Sequence, residues 1–280
     1  MMAATKTLPH IPEETSQAAR RLYNLQYIYL RIGDQLESLL SRTNVQRFSP
    51  DSMLDGITSF RLALASAFQL AEALPDALAA DATLRRMDWK YALFLPVRHP
   101  GISEAALCEF RQGMFSSPRA LTEFGNLLEK LNEFGLYASS SNPALHPGSA
   151  LNTICQFSRL YNLQLTMKTA LGMLVSEAPD WLLRHVSPYW YERYAARKLP
   201  ACLPSGEEVE AEAARLGGDI AHLLDALRME NMHALTGRDE IVNLERLFRN
   251  SYSPQADILQ WCIPECPTCV HDHRTRGGLP

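Results

Sequence analysis

With 280 residues and 46% hydrophobic side chains, the chain can bury a sizeable core, which excludes global disorder. Its formal net charge of -4 argues against strong autonomous nucleic-acid binding, because such binding depends on lysine and arginine that neutralise phosphates. The sequence contains no signal-peptide pattern and no run of ~20 apolar residues, so we expect a cytoplasmic protein with no membrane partner.

Apolar residues recur at spacings of three and four along most of the chain, whereas alternation over strand length is hard to find. The sequence therefore predicts a mainly α-helical protein. A segment rich in serine, proline and other turn formers interrupts the pattern near the middle and indicates a linker. In chain order, we predict a flexible tail over 1–14, a multi-helix domain over 15–137, a linker over 138–150, a second helical region over 151–252 and an irregular tail over 253–280.

Two helices of the first domain have the outline of a helix-turn-helix pair. A long apolar helix over about 58–73 is followed by the breaking string Leu74-Pro75-Asp76 and by a second helix over about 77–87. Asp76 is the predicted N-cap of the second helix, since a short carboxylate there can accept hydrogen bonds from free backbone amides. The outline is shared by any pair of antiparallel helices and by DNA-binding units.

The second helical region is predicted to contain three main helices. The first covers about 151–176 and stops at Ala178-Pro179-Asp180-Trp181. The second covers 207–228 and is interrupted by Gly217-Gly218, because glycine weakens a helix interior. The last covers 240–250.

The cysteines fall into two groups. Cys108, Cys155 and Cys202 are isolated, do not form the framework of a secreted disulfide-rich domain, and are expected to be reduced core residues. The other three lie close together near the C-terminus and are considered below.

Several short strings carry a family resemblance. In the first domain they are Arg61-Leu62-Ala63-Leu64, Gln69-Leu70-Ala71-Glu72, Ala79-Ala80-Asp81-Ala82, Asp88-Trp89-Lys90-Tyr91-Ala92-Leu93 and Glu109-Phe110-Arg111. Downstream they are Arg159-Leu160, Ala178-Pro179-Asp180-Trp181-Leu182, Trp190-Tyr191-Glu192-Arg193-Tyr194 and Leu223-Leu224-Asp225-Ala226-Leu227. Over roughly residues 10–250, the series resembles the InsH-type N-terminal domain of DDE transposases from bacterial insertion sequences, a domain also described as a transposase domain of unknown function.

The resemblance implies a helical domain placed before an RNase H-like core, in which three acidic residues bind two metals for phosphoryl transfer. Counting back from Ala178-Pro179-Asp180-Trp181 aligns the string that carries the first acid with residues 144–149. His146 takes the place of that aspartate, and Pro147 and Gly148 would disrupt its strand. The chain ends at Pro280, about where the remaining core would begin. We therefore expect no catalytic residues and no enzyme.

A cluster of basic and aromatic residues lies at the end of the second helix of the pair. Arg85, Arg86 and Lys90 are the predicted DNA-binding residues, which would contact phosphates beside Trp89 and Tyr91. The alternative is structural: cations near a helix C-terminus interact favourably with its dipole, and Trp89 then packs inside.

The C-terminal cysteines and histidines predict a metal site. Cys262, Cys266 and Cys269, with His273 or His271, offer the thiolate and imidazole ligands that zinc prefers. Zinc is thus the one cofactor that the sequence indicates. The spacing is tighter than in ordinary zinc fingers, so the alternative is an irregular tail without metal.

Taken together, these patterns favour a catalytically inactive, transposase-derived DNA-binding protein that recognises terminal inverted repeats or acts as a regulator. Its expected partners are DNA and either a full-length transposase or a second copy of the chain, with no small-molecule substrate. The alternatives are a helical protein-interaction module and a non-functional remnant of a transposase.

Overall fold

The computed structural model describes residues 10–48, 55–137, 146–195, 199–200, 202–255 and 258–261. Within them the protein is mainly α-helical, as predicted. The chain divides into two compact units, residues 1–154 and 155–280. Among the described helices, none combines the length and the apolar character needed to cross a bilayer.

The described residues of unit 1 form eight helices and the beginning of a ninth. They are α1 (Glu13–Leu22), α2 (Ile28–Asp34), α3 (Leu36–Ser41), α4 (Gly56–Glu72), α5 (Asp76–Arg85), α6 (Met87–Ala92), α7 (Glu104–Phe115) and α8 (Pro118–Glu133), with a short 3-10 turn at Val45–Phe48. Ser103 caps α7 by accepting a hydrogen bond from the Ala106 backbone amide at 3.1 Å, and Pro118 is the first residue of α8.

Helix α4 forms the centre of unit 1. It is apolar nearly all round its circumference, and a helix of that kind is buried rather than placed on the surface. Asp55 caps it by accepting hydrogen bonds from the backbone amides of Ile57 and Thr58 at 2.9 and 3.0 Å. Phe68 on α4 stacks edge-on against Trp89, with ring centroids 5.4 Å apart. This packing joins α4 to α6.

The helix, turn, helix outline of α4 and α5 is confirmed, but the predicted role of Asp76 is wrong. The N-cap of α5 is Pro75, and Asp76 is the first residue of the helix. The Asp76 side chain is fully buried. Its carboxylate forms an ion pair with Arg111 of α7 and accepts a hydrogen bond from Gln69 at 2.8 Å. Asp76 thus links three helices instead of capping one.

Unit 2 holds most of the long helix α9 and the elements after it. These are α9 (Pro147–Glu177), α10 (Pro179–His185), a π-helical turn at Tyr191–Ala195, α11 (Gly206–Met229), α12 (His233–Thr236), α13 (Asp239–Ser251), β1 (Tyr252–Gln255) and β2 (Ile258–Trp261). The two strands pair antiparallel with Tyr252 opposite Trp261. A short hairpin therefore replaces part of the tail that was predicted to be irregular from residue 253.

Two further predictions for the second half need correction. Helix α11 runs without a break through Gly217 and Gly218. The predicted stop at Ala178-Pro179-Asp180-Trp181 is confirmed, because α9 ends at Glu177 and a new helix, α10, begins at Pro179. Helix α9 begins at Pro147, four residues before the predicted start. Among the isolated cysteines, Cys155 is buried and not disulfide-bonded, as predicted, whereas Cys202 is exposed and Cys108 is buried but disulfide-bonded.

Candidate nucleic-acid interface

The structure does not gather the three predicted DNA-binding residues on one surface. The Arg85 side chain is 74% exposed and pairs with Asp81 one turn earlier on α5, at 2.6 Å. Arg86 is half-buried against the carboxylates of Glu72 and Asp88. Lys90 is buried, with 3% of its surface exposed. Of the three, only Arg85 therefore presents its guanidinium fully to solvent.

Arg86 bridges two acidic side chains. Its Nη2 donates to Glu72 Oε1 at 2.9 Å and to Asp88 Oδ2 at 2.6 Å, and its Nε donates to Asp88 Oδ1 at 3.1 Å. The guanidinium also lies over the ring of Trp89 at 5.3 Å. Burial alone would lower the pKa of Arg86, but its hydrogen bonds to Asp88 and Glu72 raise it above the ordinary value. The Arg86 guanidinium is therefore fixed by contacts within unit 1.

The same carboxylates accept further hydrogen bonds from aromatic side chains. Trp89 Nε1 donates to Glu72 Oε1 at 3.0 Å, and the Tyr29 hydroxyl also donates to Glu72. The Tyr27 hydroxyl donates to Asp88 at 3.1 Å. Burial and the nearby Asp88 raise the pKa of Tyr27 to about 12. This cluster is a closed hydrogen-bond network, and such networks specify a core when every member is satisfied.

Tyr91 belongs to a second buried contact. Its hydroxyl accepts a hydrogen bond from Arg20 at 2.6 Å and donates to Asp34 at 2.5 Å. The ring leaves no space for a side chain at Gly33, where an added Cβ would lie 2.5 Å from two ring carbons. Tyr91 is thus part of the packing between α1, α2 and α6 and is not free to contact DNA.

Lys90 points toward the segment that follows α6, which we call the 96–101 loop (Pro96-Val97-Arg98-His99-Pro100-Gly101). Its Nζ donates to the backbone carbonyls of Val97 and His99. Burial lowers the pKa of Lys90 below its ordinary value. Gly101, at a φ of +87°, turns the chain at the end of the loop. Lys90 therefore fixes the loop from beneath, while Arg98 on the loop itself is exposed.

The strings that carry the resemblance supply many of the polar groups inside unit 1. Beyond the Arg86 network, Arg111 donates to Gln69 at 3.4 Å and pairs with Asp76. These contacts hold α4, α5, α6 and α7 together. No matching family model, curated protein or solved structure was found for this chain. Function is therefore inferred from the residues and contacts themselves.

The predicted zinc ligands Cys262, Cys266, Cys269 and His273 lie outside the described residues, so that site stays a prediction. Within the part of the chain that the structure describes, no three histidine, cysteine or acidic side chains form a metal-binding group. His146, at the position aligned with the first transposase acid, is exposed and directly precedes α9.

Proposed function

We propose that this chain is a non-catalytic DNA-binding protein whose first unit derives from the N-terminal domain of an insertion-sequence transposase. The observation that supports it best is the pair of exposed arginines at the end of α5 and on the 96–101 loop. Arg85 follows Leu84, whose Cα lies 3.2 Å from the position of a Cβ built on Gly101. Because the end of α5 contacts the 96–101 loop at this point, Arg85 and Arg98 lie on adjacent segments of the surface. Arginine is a preferred ligand of backbone phosphates.

Three observations support the proposed origin and the lack of catalysis. The strings that resemble the transposase domain lie in both units, five in unit 1 and four in unit 2, as expected if the resemblance covers most of the chain. Where the family carries its first catalytic acid on a strand, this chain has His146 followed by the start of α9 at Pro147. In addition, Arg86 lies between Glu72 and Asp88, in the space that a metal bridging those acids would need.

Fluorescence anisotropy with a labelled duplex of mixed sequence tests the proposal. We expect the purified full chain to bind the duplex, and Arg85→Gln and Arg98→Gln each to weaken binding. Arg184→Gln is the matched control, since Arg184 is an exposed arginine on α10 of unit 2. Wild-type protein that fails to bind, or equal affinities for all three variants and the wild type, would contradict the proposal.

Protein binding is the second candidate function, and exposed apolar side chains of unit 2 favour it. Leu183, Tyr189, Tyr191 and Met229 are between 71% and 83% exposed. Aromatic residues and methionine are enriched at protein interfaces compared with other surfaces. A chain that binds no duplex but sediments as a dimer at micromolar concentration would favour this candidate over DNA binding.

A further inference from the structure

Basic side chains converge around the 96–101 loop. Lys90 of α6 donates to two carbonyls of the loop, Arg61 of α4 lies close enough to His99 to lower its pKa, and the loop itself carries Arg98 and His99. Among the described residues, neither Arg61 nor Lys90 forms an ion pair with a carboxylate. This arrangement differs from the Arg86 and Arg111 sites of the same unit, where each guanidinium faces an acid.

Arg61 is held by an aromatic ring and a carbonyl in place of an acid. Its guanidinium lies 4.3 Å from the centre of the Phe94 ring, and its Nη2 donates a long 3.4 Å hydrogen bond to the Phe94 carbonyl. Its Nε is buried and has no hydrogen-bond partner among the described residues. Burial lowers the pKa of Arg61, and only Asp55 acts in the opposite direction. The oxygens of Asp55 are engaged in capping α4.

Among the described residues, Lys90 forms no ion pair with a carboxylate. Its two hydrogen-bond acceptors, the carbonyls of Val97 and His99, are neutral groups. Burial is the one cause that acts on its pKa. An ammonium group has three hydrogens to donate, so two carbonyls leave one of them for another acceptor.

His99 contributes a neutral donor. Its Nδ1 accepts a hydrogen bond from the Gly101 backbone N–H at 3.1 Å, which places the ring proton on Nε2. Burial, Arg61 and Lys90 all lower the pKa of His99. The ring therefore stays neutral near pH 7 and keeps one N–H to donate.

We propose that Arg61, Lys90, Arg98 and His99 form a binding site for a single oxyanion of the phosphate type. Removing cations from water without a counter-charge costs free energy, and a bound anion would offset that cost. Guanidinium, ammonium and imidazole N–H groups are the donors that recognise phosphate oxygens, and charge-assisted bonds of this kind are the strong ones. Two of these residues, Lys90 and Arg61, belong to the strings that carry the transposase resemblance, but the inference stands on their contacts alone.

The phosphate group has two sources, a free phosphate ion or the backbone of DNA. The site does not require that the chain bind DNA. The site bears on the proposed function only if the phosphate comes from the DNA backbone. The 96–101 loop would then bind one DNA phosphate next to those that Arg85 contacts.

The test is a titration of the full chain with inorganic phosphate at constant ionic strength, followed by NMR of the histidine rings. His99→Gln assigns the His99 signal among the eight histidines. We expect a saturable shift of that signal and a rise in the pKa of His99, because a bound anion offsets the positive charge of Arg61 and Lys90. Arg61→Gln should weaken phosphate binding on the order of tenfold, as for the loss of one hydrogen bond to a charged group. Arg184→Gln should leave it unchanged.

Arg98→Gln provides a second variant, since Arg98 is exposed and its loss does not threaten folding. It should weaken phosphate binding even if Arg61→Gln fails to fold. No saturable shift of His99, or equal phosphate affinity in the wild type and Arg98→Gln, would overturn the site.

A short DNA duplex added to the phosphate-loaded protein separates the sources. Competition between duplex and phosphate at His99 supports a DNA phosphate as the ligand. Saturable phosphate binding that duplex does not affect supports a free-phosphate site, and DNA binding is then decided by the anisotropy experiment alone. Duplex binding measured by anisotropy, with no response of His99 to either ligand, overturns the site and leaves the proposed function standing.

Discussion

Two ion pairs of unit 1 show how burial changes the contribution of a charged side chain to stability. Asp76 and Arg111 are both fully buried, and their side chains have no exposed surface. Arg85 and Asp81 form a pair of the same chemical type on the surface of α5, with side chains 74% and 46% exposed. Water screens the surface pair, whereas the buried pair has exchanged hydration for protein contacts.

Arg111→Met should therefore destabilise the protein far more than Arg85→Met. The first change leaves the Asp76 carboxylate buried without its cation, and we expect a loss of about 3–5 kcal/mol in the free energy of unfolding. The second should cost no more than about 1 kcal/mol. Urea unfolding followed by circular dichroism measures both. Similar losses for the two variants would show that Asp76 finds another way to be compensated.

Residue roles were the part of the site that the sequence predicted least well. Arg86 and Lys90 look like surface cations because they lie in a basic string at a helix end. Their true partners are Glu72, fourteen residues before Arg86, and the carbonyls of Val97 and His99 on the following loop. The Arg86–Glu72 contact depends on how α4 and α6 meet, and the Lys90 contacts depend on how the following loop folds back onto α6; no local spacing encodes either. Arg85, whose nearest partner Asp81 is one turn away, was placed correctly on the surface.

At the scale of elements, prediction worked where the signal is local. The break between α4 and α5 at Leu74-Pro75, the end of α9 before Ala178-Pro179 and the extent of α13 follow from residues within one or two turns. The predicted interruption of α11 at Gly217-Gly218 was wrong. Position 217 needs glycine because of a residue thirty-five positions later. The Tyr252 ring packs on the helix there, and its hydroxyl donates to the Ala213 carbonyl at 2.6 Å.

The two glycines should respond in opposite directions to alanine. At Gly217 a new Cβ would lie 2.6 Å from a ring carbon of the buried Tyr252, and we expect a loss of about 1–3 kcal/mol from overpacking. At Gly218 nothing lies within 4 Å, so alanine should stabilise the helix by about 0.5–1 kcal/mol. Thermal and urea unfolding of both variants give the comparison. A stable Gly217→Ala variant would mean that the Tyr252 ring is not fixed against α11.

For the whole molecule, the charge balance limits how DNA is bound. The formal net charge is -4, with 27 basic and 31 acidic residues. Several of the arginines face carboxylates of the same chain: Arg20, Arg86, Arg111, Arg193, Arg228 and Arg249. These cations are less available to phosphates than their number implies. Binding must therefore depend on a few unpaired or weakly paired groups.

The salt dependence of DNA binding should accordingly be shallow. Arg85 and the oxyanion site, which includes Arg98, together account for about two phosphates, so log Kd plotted against log salt concentration should have a slope of about 1.8, at 0.9 per phosphate. The double variant Arg85→Gln/Arg98→Gln removes the Arg85 contact and one cation of the oxyanion site, and should lower the slope by at least about 0.9. Anisotropy titrations over a range of salt concentrations measure both slopes, with Arg184→Gln as the control. A wild-type slope above about 5, or one that the double variant leaves unchanged, would place the DNA contacts on another basic surface.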